Sequence, residues 1–201
     1  LNLKKLAEER KKQLEEGKKD GSSGPAAAGR ALSRRSISIT KDLEILDIPP
    51  AARMRFPKKG DIKEIEFLIS PTDGLWKGGN FVFKVTFPSE YRMKPPTVKC
   101  LTKVYHPNIN FNGDVCLSIL RDTEWTAVMD TSHILMGLFV LFYEPDASDP
   151  LNVHLGELMK KDYNKFAQNV ASSFRGLNVE GQSFEKQPIK YDFPENKKTG
   201  K

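Results

Sequence analysis

The chain has 201 residues, of which 38% are hydrophobic and 29% are charged, and this length suits one domain with extensions. Its formal net charge is +6, but lysine and arginine are scattered among acidic residues rather than gathered on one stripe. This pattern argues against a nucleic-acid-binding protein and favours contacts with acidic protein partners. The longest apolar run, 134–143, is far too short to span a membrane, so we expect no membrane partner.

The cysteines and histidines indicate the cellular compartment of the protein and bear on whether it has a metal site. Cys100 and Cys116 stand in a sequence without a signal-peptide pattern, which predicts free thiols in a reducing compartment, the cytoplasm or the nucleus. No Cys-x-x-Cys pair occurs, and the three histidines lack the spacing of metal ligands. We therefore predict no metal site.

The first part of the chain has the composition of an extension. Residues 1–16 are strong helix formers with a thin apolar face that includes Leu3 and Leu6. Two interpretations stay open: a solvated helix, or a peptide that folds when it docks on a partner. The Gly- and Ser-rich stretch 17–30 predicts a flexible linker, so we assign residues 1–30 to an N-terminal extension.

Periodicity predicts the first half of a core domain over 31–186. A helix is expected over 30–47, where apolar residues recur at helical spacing before Pro49 and Pro50 end it. Four strands joined by short turns are then predicted, with every second residue apolar in the second and third, and we expect them to form an antiparallel meander: 53–56, 62–69, 81–87 and 97–101.

The second half of the core is predicted to be helical. Asp130 or Thr131 is suited to cap a helix over 132–143 that is apolar nearly all round, and that we therefore expect to be central and buried. Two further helices are predicted over 153–161 and 163–175. The polar and basic stretch 187–201 predicts a flexible tail. This order of elements is typical of an α+β domain.

The stretch between the strands and the helices, 105–120, carries the chemistry. The thiol of Cys116 is suited to carry an acyl group, and the amide of Asn108, eight residues upstream, is suited to donate a hydrogen bond to an oxyanion. Asn108 is equally suited to stabilise the loop by bonding to backbone, and the two roles are compatible. His106 is either a base for the thiol or a brace for the loop. The stretch predicts an acyl-transfer site.

These residues resemble the ubiquitin-conjugating enzyme family. The resemblance rests on the order of elements, on His106-Pro107-Asn108 and on the spacing from this asparagine to Cys116. Further matches extend it over about 32–186, namely Tyr91, Lys94-Pro95-Pro96, Trp125 and Asp149-Pro150-Leu151-Asn152. The resemblance implies the ubiquitin-conjugating fold, with an N-terminal helix, a four-stranded antiparallel meander, a central buried helix and two C-terminal helices.

Within the family, the chain is similar to the enzymes that conjugate the ubiquitin-like modifier of the neddylation pathway. The similarity lies in the N-terminal extension and in the segments 98–100, 102–106, 116–121, 166–170, 175–176 and 183–185. In that branch such an extension docks on the modifier's activating enzyme and on a co-ligase. The similarity therefore implies partner-binding roles for Leu3 and Leu6.

The resemblance also implies a role for each residue of the site. Cys116 accepts the modifier as a thioester, Asn108 donates to the oxyanion formed when a substrate lysine attacks, and Asp149 orients that lysine. His106 becomes a structural brace before the rigid Pro107 rather than a base. No basic neighbour of the cysteine is evident nearby in sequence, so we expect modest intrinsic reactivity and a rate set by positioning.

Together these roles describe a cysteine acyltransferase. The implied partners are the modifier, its activating enzyme, a ligase of the cullin-RING type and a co-ligase. We expect a monomer with no bound cofactor, because the activating enzyme consumes the ATP. Three alternatives are weighed: a conjugating enzyme for ubiquitin itself, a non-catalytic module of the same fold, which Cys116 argues against, and a papain-like hydrolase, for which His154 lacks the sequence context.

The sequence departs from the family pattern in three places. Arg92 and Ala127 stand where many members have proline, and the tail beyond Lys186 is longer than expected. The change at Ala127 is expected to loosen the loop under the site. Asp146 is a second candidate for the role of Asp149.

Overall fold

The computed structural model of the protein describes residues 33–196, so Leu3, Leu6 and the predicted N-terminal extension lie outside the described residues. In chain order its elements are helix α1 (Arg34–Ile45), strands β1 (Ala52–Arg55), β2 (Glu64–Ile69), β3 (Phe81–Thr86) and β4 (Thr97–Cys100), and helices α2 (Thr131–Tyr143), α3 (Val153–Lys161) and α4 (Tyr163–Phe174). This order confirms the predicted α+β class. Between residues 33 and 196 no helix has the length and apolar character needed to cross a membrane.

The four strands form one antiparallel sheet in the order β1-β2-β3-β4, as predicted for a meander. Successive side chains of a strand point to opposite faces, so each strand presents every second residue to the helices. On that face Phe67 of β2 lies opposite Phe83 of β3, and the Phe83 ring meets Phe142 of α2 edge-on at 5.9 Å between centroids. The core of the domain therefore lies between the sheet and α2.

Of the two capping residues that the sequence allowed for α2, the structure uses Asp130, which directly precedes the helix. The Asp130 carboxylate accepts the backbone N–H groups of Ser132 and His133 at 2.9 and 3.2 Å. One side of α2 is buried against the sheet. The expectation of a central, buried helix is confirmed on this side, whereas Met136 and Val140 on the opposite side are 58% and 47% exposed.

The segment 187–196, which we call the C-terminal strap, covers the outer face of the sheet. Phe193 is buried there against Leu68 and Val82, in a small apolar cluster separate from the main core. The Arg55 guanidinium lies over the Phe193 ring, with Cζ 4.2 Å from the ring centroid. The part of the outer face around Leu68 and Val82 is therefore covered by the strap.

Polar contacts hold the strap at intervals along its length. The amide of Asn80 donates to the Ile189 carbonyl at 2.9 Å, and the amide of Asn196 donates to the Ala52 carbonyl at 2.7 Å. The tail predicted over 187–201 thus includes the strap, which the structure packs on the sheet. The sequence of the strap is mostly polar, so its few apolar side chains did not predict packing. The structure places one of them, Phe193, on an apolar patch.

A buried carboxylate joins α1 to the start of α2. Asp42 is fully buried, accepts the Tyr91 hydroxyl at 2.5 Å and the Thr131 N–H at 3.3 Å, and forms an ion pair with Arg92. Arg92 has a φ of 69°, which proline cannot adopt because its ring holds φ negative. The residue that departs from the family pattern therefore supplies the partner that a buried charge requires.

Replacing Phe193 with alanine should reduce the free energy of unfolding by about 1–2 kcal/mol, because the strap loses its apolar anchor but is able to detach without unfolding the core. Chemical denaturation at 25 °C measures the change. Leu177→Ala, at a side chain that is 47% exposed, is the matched control and should change stability by less than about 0.5 kcal/mol. Equal effects of the two substitutions would contradict the anchoring role.

Candidate active site

His106 ties the chemical loop to helix α2 from inside the core. Its Nδ1 accepts the backbone N–H of Asn108 at 3.0 Å, which leaves Nε2–H to donate to the Leu141 carbonyl at 2.7 Å. Burial lowers the pKa of His106 to about 4, so the ring is neutral at physiological pH. Both ring nitrogens are engaged, and these contacts are those of a brace rather than of a base for the thiol.

Asn108 joins two loops through what we call the Asn108 clamp, a pair of hydrogen bonds with the backbone of Asp146. The amide Nδ2 donates to the Asp146 carbonyl at 2.8 Å, and Oδ1 accepts the Asp146 N–H at 2.9 Å. Asn108 is 3% exposed, so hydrogen bonds within the protein rather than water fix the orientation of its amide. The loop-stabilising role considered from the sequence is present, and one amide N–H at most remains for an oxyanion.

A tight turn explains the spacing between the asparagine and the cysteine. Asn110 Oδ1 accepts the backbone N–H groups of Asn112 and Asp114 at 3.0 and 2.9 Å, and Gly113 takes a φ of +86°. A Cβ at Gly113 would lie 2.1 Å from a backbone carbonyl oxygen, so no other residue fits there. After this turn the segment that carries Cys116 runs back alongside the segment that carries Asn108, and the Cys116 N–H donates to the Asn108 carbonyl at 2.9 Å.

Cys116 lies half-buried at the end of this turn with a basic residue beside it. A 3₁₀ turn, Ser118–Leu120, reverses the chain and brings the Arg121 guanidinium to 3.5 Å from Sγ. The same guanidinium forms an ion pair with the Asp149 carboxylate. The expectation that the cysteine has no basic neighbour is therefore wrong. Hydrogen bonds to Cys116, and then to Asp149, raise the pKa of Arg121.

The acidic loop after α2 presents its two carboxylates differently. Asp149 has a side chain that is 64% exposed and turned toward Arg121 at the cysteine. Asp146 turns back into its own loop, where it accepts the hydroxyl and backbone N–H of Ser148 at 2.5 and 2.7 Å, and these bonds lower the pKa of Asp146. Of the two acidic candidates, the structure brings Asp149 to the site.

Pro107 contributes through its backbone. Its carbonyl accepts the N–H of Asn152 at 2.8 Å, at the start of α3. This bond joins the far end of the acidic loop to the loop that holds the cysteine. Together with the Asn108 clamp it fixes the acidic loop at two points.

Cys100 shows what an unreactive thiol looks like in the same protein. It ends β4 at 4% exposure, and its thiol donates to the Thr102 carbonyl at 3.0 Å. Burial raises the pKa of the Cys100 thiol to about 12, so it remains protonated. Among residues 33–196, no group of three or more His, Cys, Asp or Glu is arranged to hold a metal ion.

Comparison with known proteins agrees with this geometry. The sequence pattern of the ubiquitin-conjugating enzyme family matches residues 38–174. The chain belongs to that family. A "NEDD8-conjugating enzyme UBC12" from Eremothecium gossypii is 39% identical over 160 residues, covering 79% of this chain and 86% of the relative. The "Nedd8-conjugating enzyme UbcE2M" of Drosophila melanogaster is 38% identical over 172 residues, covering 86% and 94%.

A solved structure supports the same assignment of fold. The structure described as "S. cerevisiae Ubc12" matches with a TM-score of 0.71 and 31% identity, covering 92% of this chain and 97% of that one. Members of this family are transferases that carry their modifier as a thioester, and this chain is such an enzyme. The family and the transfer chemistry predicted from the sequence are confirmed.

Lowering the pH from 6.5 to about 4 should reduce the free energy of unfolding by roughly 3 kcal/mol through His106 alone. Over this range His106 binds a proton in the unfolded chain, whereas in the folded protein burial keeps it largely neutral. The loss begins near the unfolded pKa and is complete below the folded pKa. Chemical denaturation across this range measures it. His106→Gln, whose amide is able to accept and donate in the same way, should show a shallower slope than the wild type. Equal slopes for the two proteins would contradict the buried neutral imidazole.

Proposed function

We propose that this enzyme conjugates NEDD8, which it receives from the NEDD8-activating enzyme as a thioester on Cys116 and passes to a lysine of a substrate protein. The choice of modifier is supported by relatives named as NEDD8-conjugating enzymes, which match 79–92% of the chain. A conjugating enzyme of this kind works with the modifier, its activating enzyme and a ligase. Ubiquitin itself is the alternative modifier, since the transfer chemistry is the same.

The observation that supports Cys116 as the acyl carrier is its contrast with Cys100. Both thiols are free, but Cys100 is buried and protonated, while Cys116 is partly exposed between two loops that carry polar side chains. In the first step the Cys116 thiolate attacks the activating enzyme's thioester carbonyl. A new carbon–sulfur bond forms, the old one breaks, and the activating enzyme's thiolate leaves and takes up a proton from solvent.

Transfer to lysine then uses the acidic loop. The exposed Asp149 carboxylate is suited to attract and orient the lysine side chain as it approaches the thioester, acting by position rather than as a strong base. The Asn108 clamp holds the Asp146 backbone close to the cysteine loop, and any amide N–H left over on Asn108 is suited to the oxyanion. His106 and Pro107 support both loops from beneath.

The finer partners are part of the proposal. We propose that Leu3 and Leu6 dock on the activating enzyme and on a co-ligase, and that a cullin-RING ligase supplies the substrate. We further propose a monomer that acts in the cytoplasm and nucleus and binds no cofactor of its own, since the activating enzyme consumes the ATP. The apolar spacing of the first residues supports the docking role.

Charging assays with NEDD8 and with ubiquitin, each with its own activating enzyme and ATP, test the choice of modifier. We expect a reductant-sensitive adduct with NEDD8 that forms at least about tenfold faster than with ubiquitin, as competing contacts worth about 1.4 kcal/mol would give. A chain lacking residues 1–16 should charge more slowly because it loses the docking peptide. An adduct with ubiquitin but not with NEDD8 would overturn the choice of modifier.

A further inference from the structure

The negative charge that develops during transfer needs a donor beside Cys116. When a nucleophile attacks the thioester, the oxyanion forms on the carbon bonded to Sγ, and a group that stabilises it must lie near that sulfur. The Asn108 amide is the obvious candidate, but the clamp engages its Nδ2 and Oδ1 with the Asp146 backbone at 2.8 and 2.9 Å, which leaves one amide N–H at most. Among residues 33–196, the side chain that hydrogen-bonds Sγ is that of Arg121.

Arg121 has the contacts that such a donor requires. Its Nη2 lies 3.5 Å from Sγ, so an oxygen two bonds away from the sulfur falls within reach of the same guanidinium. Asp149 forms an ion pair with Arg121 and so orients it toward the sulfur. A guanidinium offers five N–H donors in one plane and keeps its charge at every physiological pH.

The other charged groups around the cysteine do not replace it. Asp146 is directed into its own loop by Ser148, and Asp114 on the turn before the cysteine is paired with Lys99 at 3.7 Å. Among these groups on residues 33–196, Arg121 is the cation that contacts Sγ.

We propose that Arg121 is a catalytic residue, which donates to the oxyanion on the thioester carbonyl and then to the sulfur as it leaves. This inference rests on the proposed thioester at Cys116. The amine nitrogen attacks the carbonyl carbon, a C–N bond forms, and the carbonyl π pair moves to the oxygen beside the guanidinium. The C=O bond then re-forms, the C–S bond breaks, Sγ departs as a thiolate next to Arg121, and the amine proton passes to solvent.

Single-turnover discharge tests this role. The enzyme is fully charged with NEDD8, the activating enzyme is stopped with EDTA, and discharge is followed with free lysine and, separately, with hydroxylamine. Arg121→Ala should slow discharge to both nucleophiles by about tenfold to a hundredfold, since every attack on the thioester passes through the oxyanion. Arg121→Lys should recover part of the rate because it keeps the charge but loses the planar fork.

Three controls separate this role from others. Alkylation by iodoacetamide of the Cys116 thiol that carries no modifier forms no oxyanion. Arg121→Ala should therefore change the rate of alkylation far less than the rate of discharge. Asp149→Asn should slow discharge to lysine more than discharge to hydroxylamine, because hydroxylamine does not need the lysine-orienting carboxylate. Arg175→Ala, whose guanidinium bonds Ser172 at 3.1 Å on the last turn of α4, should match the wild type in every assay.

The inference is overturned by any of three results. Discharge of charged Arg121→Ala at the wild-type rate removes the role, and so does equal slowing of alkylation and discharge, which would place the effect on the thiol alone. Slowing with lysine but not with hydroxylamine would mean that Arg121 acts only through Asp149. A wild-type chain that cannot be charged with either modifier would overturn the proposed function itself, and it is distinguished from these results before discharge begins.

Discussion

The active site depends on the two hydrogen bonds that Asn108 makes with the backbone of Asp146. Because the Asn108 side chain is buried, breaking either bond would leave a polar group without a partner in the interior, which costs about 1–3 kcal/mol. The clamp thus couples the loop that carries Cys116 to the loop that carries Asp149. Neither loop has a helix or strand of its own at this point, so the clamp and the bond from Asn152 to the Pro107 carbonyl set their separation.

The fold positions this clamp from below. His106 connects the cysteine loop to the Leu141 carbonyl in the last turn of α2, and its ring packs against Trp76 at 4.5 Å between centroids, with the two planes tilted by 39°. The indole of Trp76 donates in turn to the Tyr105 carbonyl at 3.1 Å. The aromatic core is therefore continuous with the site, and the neutral imidazole is a structural part of that core. The chemistry proposed for the site belongs instead to Cys116, which is partly exposed, and to the exposed side chains of Arg121 and Asp149.

Much of this arrangement could be predicted from the sequence, because its signals are local. Alternation and turn residues located the four strands, helical patterns located the four helices of residues 33–196, and the spacing between Asn108 and Cys116 singled out the loop on which the proposed function rests. Three features escaped because they depend on side-chain contacts that a local sequence pattern does not show. Arg121 reaches Sγ only through a 3₁₀ turn, Arg92 pairs with a carboxylate fifty residues away, and the strap finds its apolar patch only once the sheet exists. The composition of a segment gives no information about the residues that contact it after folding, so a polar segment was read as unpacked.

The central claim is that Cys116, and not the second thiol of the chain, carries the modifier. The most direct measurement is peptide mapping by mass spectrometry of the full chain after charging with NEDD8, its activating enzyme and ATP, without reductant. The account predicts that the modifier's C-terminal carbonyl is joined to the peptide that contains Cys116, that reductant releases it, and that Cys100 remains a free thiol. A thioester on Cys100, or a modifier attached only through lysine in the absence of any cysteine adduct, would contradict it.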